Sequence, residues 1–311
     1  MANPAYVAVD WGTSSFRLWL IGTDGTVLAE RRSGEGMTSA AKTGFSAVLA
    51  SHLTAIEAPE NLPVIVCGMA GARQGWVEAG YIDVPAPLAS ILTGAVSVPG
   101  ESRDIRILPG LAQRDIAMPD VMRGEETQLL GALGRASSGA QAVCMPGTHS
   151  KWVHVTDAKV TGFSTFMTGE LFDVISKHTI LSHAVAGAGE QPADAAAFEA
   201  AVSAAFTRPA LASNLLFTAR SGQLLHGISA AAAQGRLSGT LIGLEIAGAL
   251  QDAANGTDIT LVASGRLQAL YEQAFRTLSL AFTAIDADAA VRRGLSAAAE
   301  AIWAELRKLT R

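Results

Sequence analysis

Charge is scarce in this chain. Its 311 residues include 23 basic and 28 acidic side chains, 16% charged in all, for a net charge of −5. No basic surface of the kind that grips nucleic acid or an anionic membrane follows from that balance, because both are held through clustered Lys and Arg. Disorder is excluded too, since 49% of the residues are hydrophobic. Cysteine is nearly missing. Cys67 and Cys144 each sit in an apolar run and read as buried thiols, so there is no disulfide framework and no CxxC metal pair. The six histidines show neither HxxxH nor HxH spacing, which removes the common zinc patterns. No run of 18 apolar residues occurs, and the window 241–250 is interrupted by Gly243, Glu245 and Gly248. The N-terminus shows no basic segment followed by a long apolar one, so it does not read as a signal peptide. A reducing, cytoplasmic compartment is the expectation.

What is present has an order. The length suits two domains, or one domain of two lobes. Residues 6–11 read as a strand running into an Asp-Trp-Gly turn, 16–21 as a second strand, and 27–32 as a third after the hairpin signal Asp24-Gly25. The apolar spacing over 45–55 predicts a helix, 64–67 and 105–108 read as buried strands, and 125–135 as a helix. The order then recurs: strand 142–145, a glycine turn, strand 151–156, a turn, strand 160–167, and helix 169–178. Residues 186–238 are rich in Ala and Gly and read as accessory helices. A helix over 239–254, a strand over 259–263, a helix through Phe275 and a strand over 280–285 follow. A last helix, 286–311, has Asp288 at its start and Arg307, Lys308 and Arg311 at its end, as the helix dipole favours. The repeated order predicts two lobes built alike.

Chemistry concentrates at the turns. Asp10 ends the first strand, and Gly12, Thr13, Ser14 and Ser15 offer backbone N–H groups and hydroxyls to an anion. Asp10 can also serve Mg²⁺, usually through water. Gly147, Thr148, His149, Ser150 and Lys151 form the corresponding turn of the second lobe. An ordinary hairpin would use the same residue types, but two at corresponding places read as phosphate loops. Neither is a P-loop, because no GxxxxGK[ST] occurs. Ser264 and Gly265 make a small-residue turn that admits a flat ligand such as a nucleoside. Arg73, Gln74 and Trp76 follow a buried strand, and Arg73 and Gln74 can donate to a carboxylate. Arg123, Glu125 and Glu126 open a helix, where one carboxylate could act as a base and both suit the dipole. Thr168 is placed to cap the helix that carries Glu170, a side chain long enough to reach a ligand hydroxyl.

The ordered set DWGTSSFRLWL, GMAGARQGW, PGL, MRGEETQLLGA, MPGTHSKWV, FSTFMTGEL and LIGLEIAGAL resembles the 2-dehydro-3-deoxygalactonokinase family of the actin, Hsp70 and sugar-kinase superfamily. The resemblance runs from about residue 6 to 299. It implies an α/β, two-lobed actin-like (ribonuclease H-like) fold, with mixed five-stranded sheets flanked by helices and a cleft between the lobes. The first lobe would be 1–137, completed by helix 287–311, and the second 138–286. The implied reaction is ATP-dependent phosphorylation of the C6 hydroxyl of 2-dehydro-3-deoxy-D-galactonate, with Mg²⁺ accompanying ATP. The implied partners are thus ATP and a small sugar acid, with no nucleic acid or membrane, for a monomer or homodimer.

Asp10 would then hold the metal, with the turns 12–15 and 147–151 and Ser264-Gly265 binding ATP. Arg73, Gln74, Trp76, Arg123, Thr168 and Glu170 would face the sugar acid. RGEET is also similar to the GxEEA segment of exopolyphosphatases, which implies Glu125 as the base and Glu126 as its alternative. Hydrolysis of polyphosphate or nucleotides, and an actin-like ATPase module that moves partners, are the competing functions.

Overall fold

The computed structural model describes residues 2–134, 138–188, 193–251 and 258–303. The chain opens with β1 (Pro4–Trp11), β2 (Phe16–Gly22) and β3 (Val27–Ser33), then α1 (Met37–Thr43) and α2 (Phe45–Ala55). Next come β4 (Val64–Gly68), β5 (Tyr81–Asp83), β6 (Ala86–Pro87), β7 (Val96–Ser97), β8 (Ile105–Ile107), β9 (Gly110–Gln113), β10 (Asp120–Met122) and α3 (Glu125–Leu133). The order then repeats in β11 (Ala140–Met145), β12 (Ser150–Thr156), β13 (Lys159–Phe166) and α4 (Thr168–His178). Helices α5 (Ser182–Val185), α6 (Ala195–Thr207), α7 (Ala212–His226) and α8 (Ala230–Ala249) follow. The chain ends on β14 (Asp258–Ala263), α9 (Gly265–Thr277), β15 (Phe282–Asp286) and α10 (Ala287–Ile302).

These elements form two compact units. The first holds the residues up to Gly139, the hairpin tip His154–Phe163 and the chain from Asp286 onward. The second holds Ala140–Val153 and Ser164–Ile285. In the first unit the main sheet runs β3–β2–β1–β4–β8–β7. Strands β1, β2 and β3 are antiparallel neighbours, while β4 lies parallel to β1 and β8 parallel to β4. In the second unit the strands run β15–β14–β11–β12–β13, with β14 parallel to β11. Both sheets therefore share one order, third–second–first–fourth–fifth, as the repeated element order predicts. The expected five strands gain a sixth in each sheet from the two-residue edge strands β7 and β6. The hairpin tip, expected in the second lobe, clusters with the first unit because Lys159 and Val160 pair with Pro87 and Ala86. A small sheet, β10–β9–β5, was not expected.

Each unit has its own core. Trp11, Phe16, Leu18, Leu49, Val66 and Ile107 fill the first, and Cys144, Trp152, Phe198, Ile246, Leu261 and Phe275 the second. Cys67 and Cys144 are buried free thiols. Among the described residues no helix is long and apolar enough to cross a membrane.

One helix start differs clearly from expectation. α8 begins at Ala230 rather than residue 239, because Ser229 caps it by accepting from the Ala232 N–H at 3.1 Å. α10 is capped by Asp286, which accepts from the Ala289 N–H at 2.8 Å, and Asp288 lies in its first turn. The expected basic end of that helix, Arg307, Lys308 and Arg311, lies outside the described residues.

Candidate functional site

In the first unit the site grows from the β1–β2 hairpin. Asp10 is buried at the end of β1, and burial pushes its carboxyl up against the pull of Arg17. Arg17 on β2 donates to Asp10 Oδ2 and also to Asp288 Oδ1 on α10. Asp288 takes a second guanidinium, Arg32, at 2.7 Å. Sequence reasoning missed Arg17; its place seven residues after Asp10, on the partner strand, is the available signal, since the register sets the two directly opposite. In the turn, Gly12 N–H donates to Ser15 O, and the carbonyls of Gly12 and Thr13 accept from Met37 and Thr38. Thr13, Ser14 and Ser15 are exposed, and the N–H groups of Thr13 and Ser14 meet no acceptor among the described residues.

Behind the hairpin, Gly68 and Gly124 pass each other. Both have positive φ, +90° and +105°, and a Cβ on Gly124 would come within 3.3 Å of Gly68 Cα. This contact brings the start of α3 against the end of β4. Glu125 and Glu126 then diverge, as successive helix positions must. Glu125 is half-buried and accepts from the Arg123 N–H at 3.1 Å. Glu126 is fully buried and accepts from the Gly124 N–H at 2.6 Å and from Thr127 Oγ1 at 2.9 Å. Burial, reinforced by the charge of Glu125, pushes the Glu126 carboxyl up to about 8.

Arg123 is buried with its guanidinium 4.3 Å from the Tyr81 ring centroid. Its Nη2 donates to Gly80 O at 3.3 Å, while Nε and Nη1 have no partner among the described residues. Arg73 and Gln74 are exposed. Trp76 is instead engaged with the core: it stacks on Phe45 at 6.0 Å and meets Trp11 edge-on.

In the second unit the corresponding turn joins β11 to β12. The N–H groups of Gly147, Thr148 and His149 reach no acceptor among the described residues, and successive open N–H groups form an anion nest. The first turn of α4 rides on this nest. Glu170 N–H donates to Thr148 O at 3.0 Å, and a Cβ on Gly169 would strike the Gly147 carbonyl. His149 Nε2 lies 2.5 Å from Glu170 Oε2 at the surface. Ser150 and Lys151 are buried in β12, so Lys151 is not a solvated turn residue.

Thr168 is not the cap of α4. Met167 holds that position without a side-chain bond, and Thr168 Oγ1 donates to the buried carboxylate of Glu245. Gly147, Thr168 and Gly169 line a cavity of about 240 Å³ with Phe172, Leu241, Ile242, Leu270 and Tyr271. Ser264 and Gly265 open α9, whose Arg266 and Leu267 line the same cavity. Sequence reasoning missed the walls from α8 and α9, because an apolar lining residue looks like core until the fold leaves a gap beside it.

The arrangement offers open backbone donors for phosphates, an apolar recess beside one set of them, and a pair of adjacent carboxylates, one half-buried and one fully buried. Among the described residues no group of three or more His, Cys, Asp or Glu side chains could hold a metal.

Known proteins are similar to this chain over most of its length. A Rhizobium meliloti protein described as a probable 2-dehydro-3-deoxygalactonokinase is 65% identical over 96% of this chain and 97% of its own. The Escherichia coli 2-dehydro-3-deoxygalactonokinase is 38% identical over 96% of this chain and 98% of its own. A crystal structure from Sinorhizobium meliloti, described as the same kind of kinase, superposes with a TM-score of 0.92 at 64% identity, covering 96% of this chain and 99% of that one. The fold extends further: the activator of 2-hydroxyisocaproyl-CoA dehydratase from Clostridium difficile matches at a TM-score of 0.51 and 11% identity, covering 96% of each chain. The model of the 2-keto-3-deoxy-galactonokinase family matches residues 10–298, a span that contains every site element above, and the chain belongs to that family.

Proposed function

We propose that this chain transfers the terminal phosphoryl group of ATP to the C6 hydroxyl of 2-dehydro-3-deoxy-D-galactonate, in the cytoplasm, as a monomer or homodimer. The observation that carries the nucleotide half is the open nest of Gly147, Thr148 and His149 at the edge of the apolar cavity. The relatives' names support the sugar acid, and the family resemblance implies its C6 hydroxyl.

In this reading the nucleoside occupies the cavity between Leu241 and Ile242 on α8 and Leu267 and Leu270 on α9, beside the Ser264-Gly265 turn. The backbone N–H groups of 147–149 and 13–14 grip phosphate oxygens, with the Ser150, Ser14 and Ser15 hydroxyls and Lys151 nearby in sequence. Arg73, Arg123 or Lys151 takes the substrate carboxylate. Of these, Arg123 keeps two guanidinium nitrogens without a hydrogen-bond partner among the described residues.

Glu125 is the base, with Glu126 as its alternative. Near neutral pH, Glu126 is largely protonated and spent on the Gly124 N–H, whereas Glu125 is half-buried. Glu125 takes the C6 hydroxyl proton as the C6 oxygen bonds to the terminal phosphorus, the bridging P–O bond breaks, and ADP leaves with the electron pair. Phosphoryl transfer asks for positioning and charge neutralisation more than covalent help. Asp10, a single carboxylate balanced by Arg17, fits a Mg²⁺ that keeps most of its water and phosphate ligands. When bound, Mg²⁺ would neutralise phosphate charge.

A coupled ADP-release assay across a panel of 2-keto-3-deoxy sugar acids tests the reading. ADP release should depend on the added acid and be fastest with the galactonate derivative. Acid-independent ATP turnover, or hydrolysis of polyphosphate, would overturn it.

A further inference from the structure

Glu245 has no part in that scheme, yet it is the most heavily bonded buried carboxylate described in the second unit. It lies on α8, 1% exposed, and is not among the residues that line the cavity. Three other elements donate to it. Trp152 Nε1 on β12 reaches Oε1 at 2.8 Å, Tyr271 OH on α9 reaches Oε2 at 2.7 Å, and Thr168 Oγ1 on α4 reaches the same Oε2. The Tyr271 hydroxyl also lies 3.1 Å from Ser150 Oγ, directly after the nest. Thr168 begins the helix turn whose next two residues press on Gly147 and bond to Thr148.

A carboxylate this deep is costly to desolvate, and apolar packing can join elements without that cost. What charge-assisted bonds add is direction: each donor is held at one distance and angle. Two of the three donors, Thr168 and Tyr271, form cavity wall, and Tyr271 in turn holds Ser150.

We propose that Glu245 is a positioning residue of the nucleotide site. It sets the turn 147–150 and the wall made by Thr168 and Tyr271 without touching the ligand. The proposal rests on the reading of this cavity and turn as the ATP site.

Glu245→Gln is the informative change, because it conserves volume. Trp152 can only donate, so the Gln carbonyl must face it. The amide nitrogen then replaces Oε2 and forces the Thr168 and Tyr271 hydroxyls to turn and accept.

Calorimetry with a non-hydrolysable ATP analogue and Mg²⁺ should give a Kd raised about tenfold, equivalent to roughly 1.4 kcal/mol. The KM for the sugar acid should stay within about twofold, as expected when the loss is confined to nucleotide binding. If Glu245→Gln fails to fold, Tyr271→Phe, which keeps the ring and removes one donor, should weaken analogue binding in the same sense. Combined with Glu245→Gln, it should cost less than the sum of the two.

Leu267→Trp, at the 39% exposed rim, separates the two claims by filling the cavity. If it leaves analogue binding unchanged, the nucleotide sits elsewhere and the reading and the proposal both fall. If it weakens binding while Glu245→Gln and Tyr271→Phe keep the wild-type Kd, the ATP site stands and the proposal for Glu245 is overturned.

Discussion

At the scale of single residues, the two adjacent glutamates show how environment divides one chemistry into two. Glu125 and Glu126 differ by one position, but only Glu126 is fully buried. General-base removal slows turnover by about 10²–10⁴. Glu125→Gln should therefore cut single-turnover phosphorylation by about that factor with ATP affinity unchanged, and Glu126→Gln should cut it less. The reverse ranking would transfer the role to Glu126.

Glu126 also makes stability depend on pH. Burial pushes its folded pKa up to about 8, above the 4.5 of an ordinary glutamate, so the folded state binds the extra proton. Its contribution is complete below about 4.5 and is lost as pH rises to about 8. Glu126→Gln should flatten the decline of melting temperature between those values; an unchanged slope would assign the decline to other groups. Asp10→Asn removes the charge facing Arg17 but leaves Arg17 its bond to Asp288. It should preserve the melting temperature to within a few degrees and abolish most ATP turnover, and near-normal turnover at saturating Mg²⁺ would refute the role given to Asp10.

At the scale of elements, glycine explains the segment that composition left without a role. Gly235, Gly239 and Gly243 recur every four residues along α8, and a Cβ on each would strike the backbone of α6 or its cap, at Asp194 O, Phe198 O and Val202 O. Residues four apart share one helix face, so these glycines form a seam on which α6 lies close. Gly239→Ala gains helix propensity but collides with the Phe198 carbonyl. Overpacking of this kind costs about 1–3 kcal/mol. The variant should melt several degrees lower, and equal or higher stability would show that the seam relaxes freely. The same device sets α3 against α10, where a Cβ on Gly294 would strike Thr127 O. The start of α3 that carries Glu125 thus depends on a helix about 160 residues later in the chain.

At the scale of the molecule, the chain repeats one sheet order in two units with separate cores. Ligand binding stabilises what it binds, by about 2.7 kcal/mol at a hundred times Kd. A saturating ATP analogue should therefore give its largest rise in amide-exchange protection within the second unit at 147–150, 168–172, 241–242 and 266–271. Protection that rises chiefly at the β9–β10 loop of the first unit would contradict the assignment of the nucleotide to this cavity.

Local chemistry was enough to place most elements and the two turns. Alternating apolar residues, the Asp24-Gly25 hairpin signal and glycine beside hydroxyl residues all act over a few positions, so β1–β3, β11–β13 and the turns at 12–15 and 147–150 were legible without any fold. The family followed from motifs spread along the whole chain. What only the tertiary structure decided are relations between distant residues. Arg17 meets Asp288, Thr168 turns from its expected cap to Glu245, Trp76 joins Phe45 in the core, and the apolar faces of α8 and α9 leave a recess between them. None of these has a local signature, because burial and hydrogen bonding are set by whichever element packs opposite. The burial of Glu126 is the clearest case: its neighbours in sequence are nearly those of Glu125, and only the side of α3 that faces the interior separates the two carboxylates.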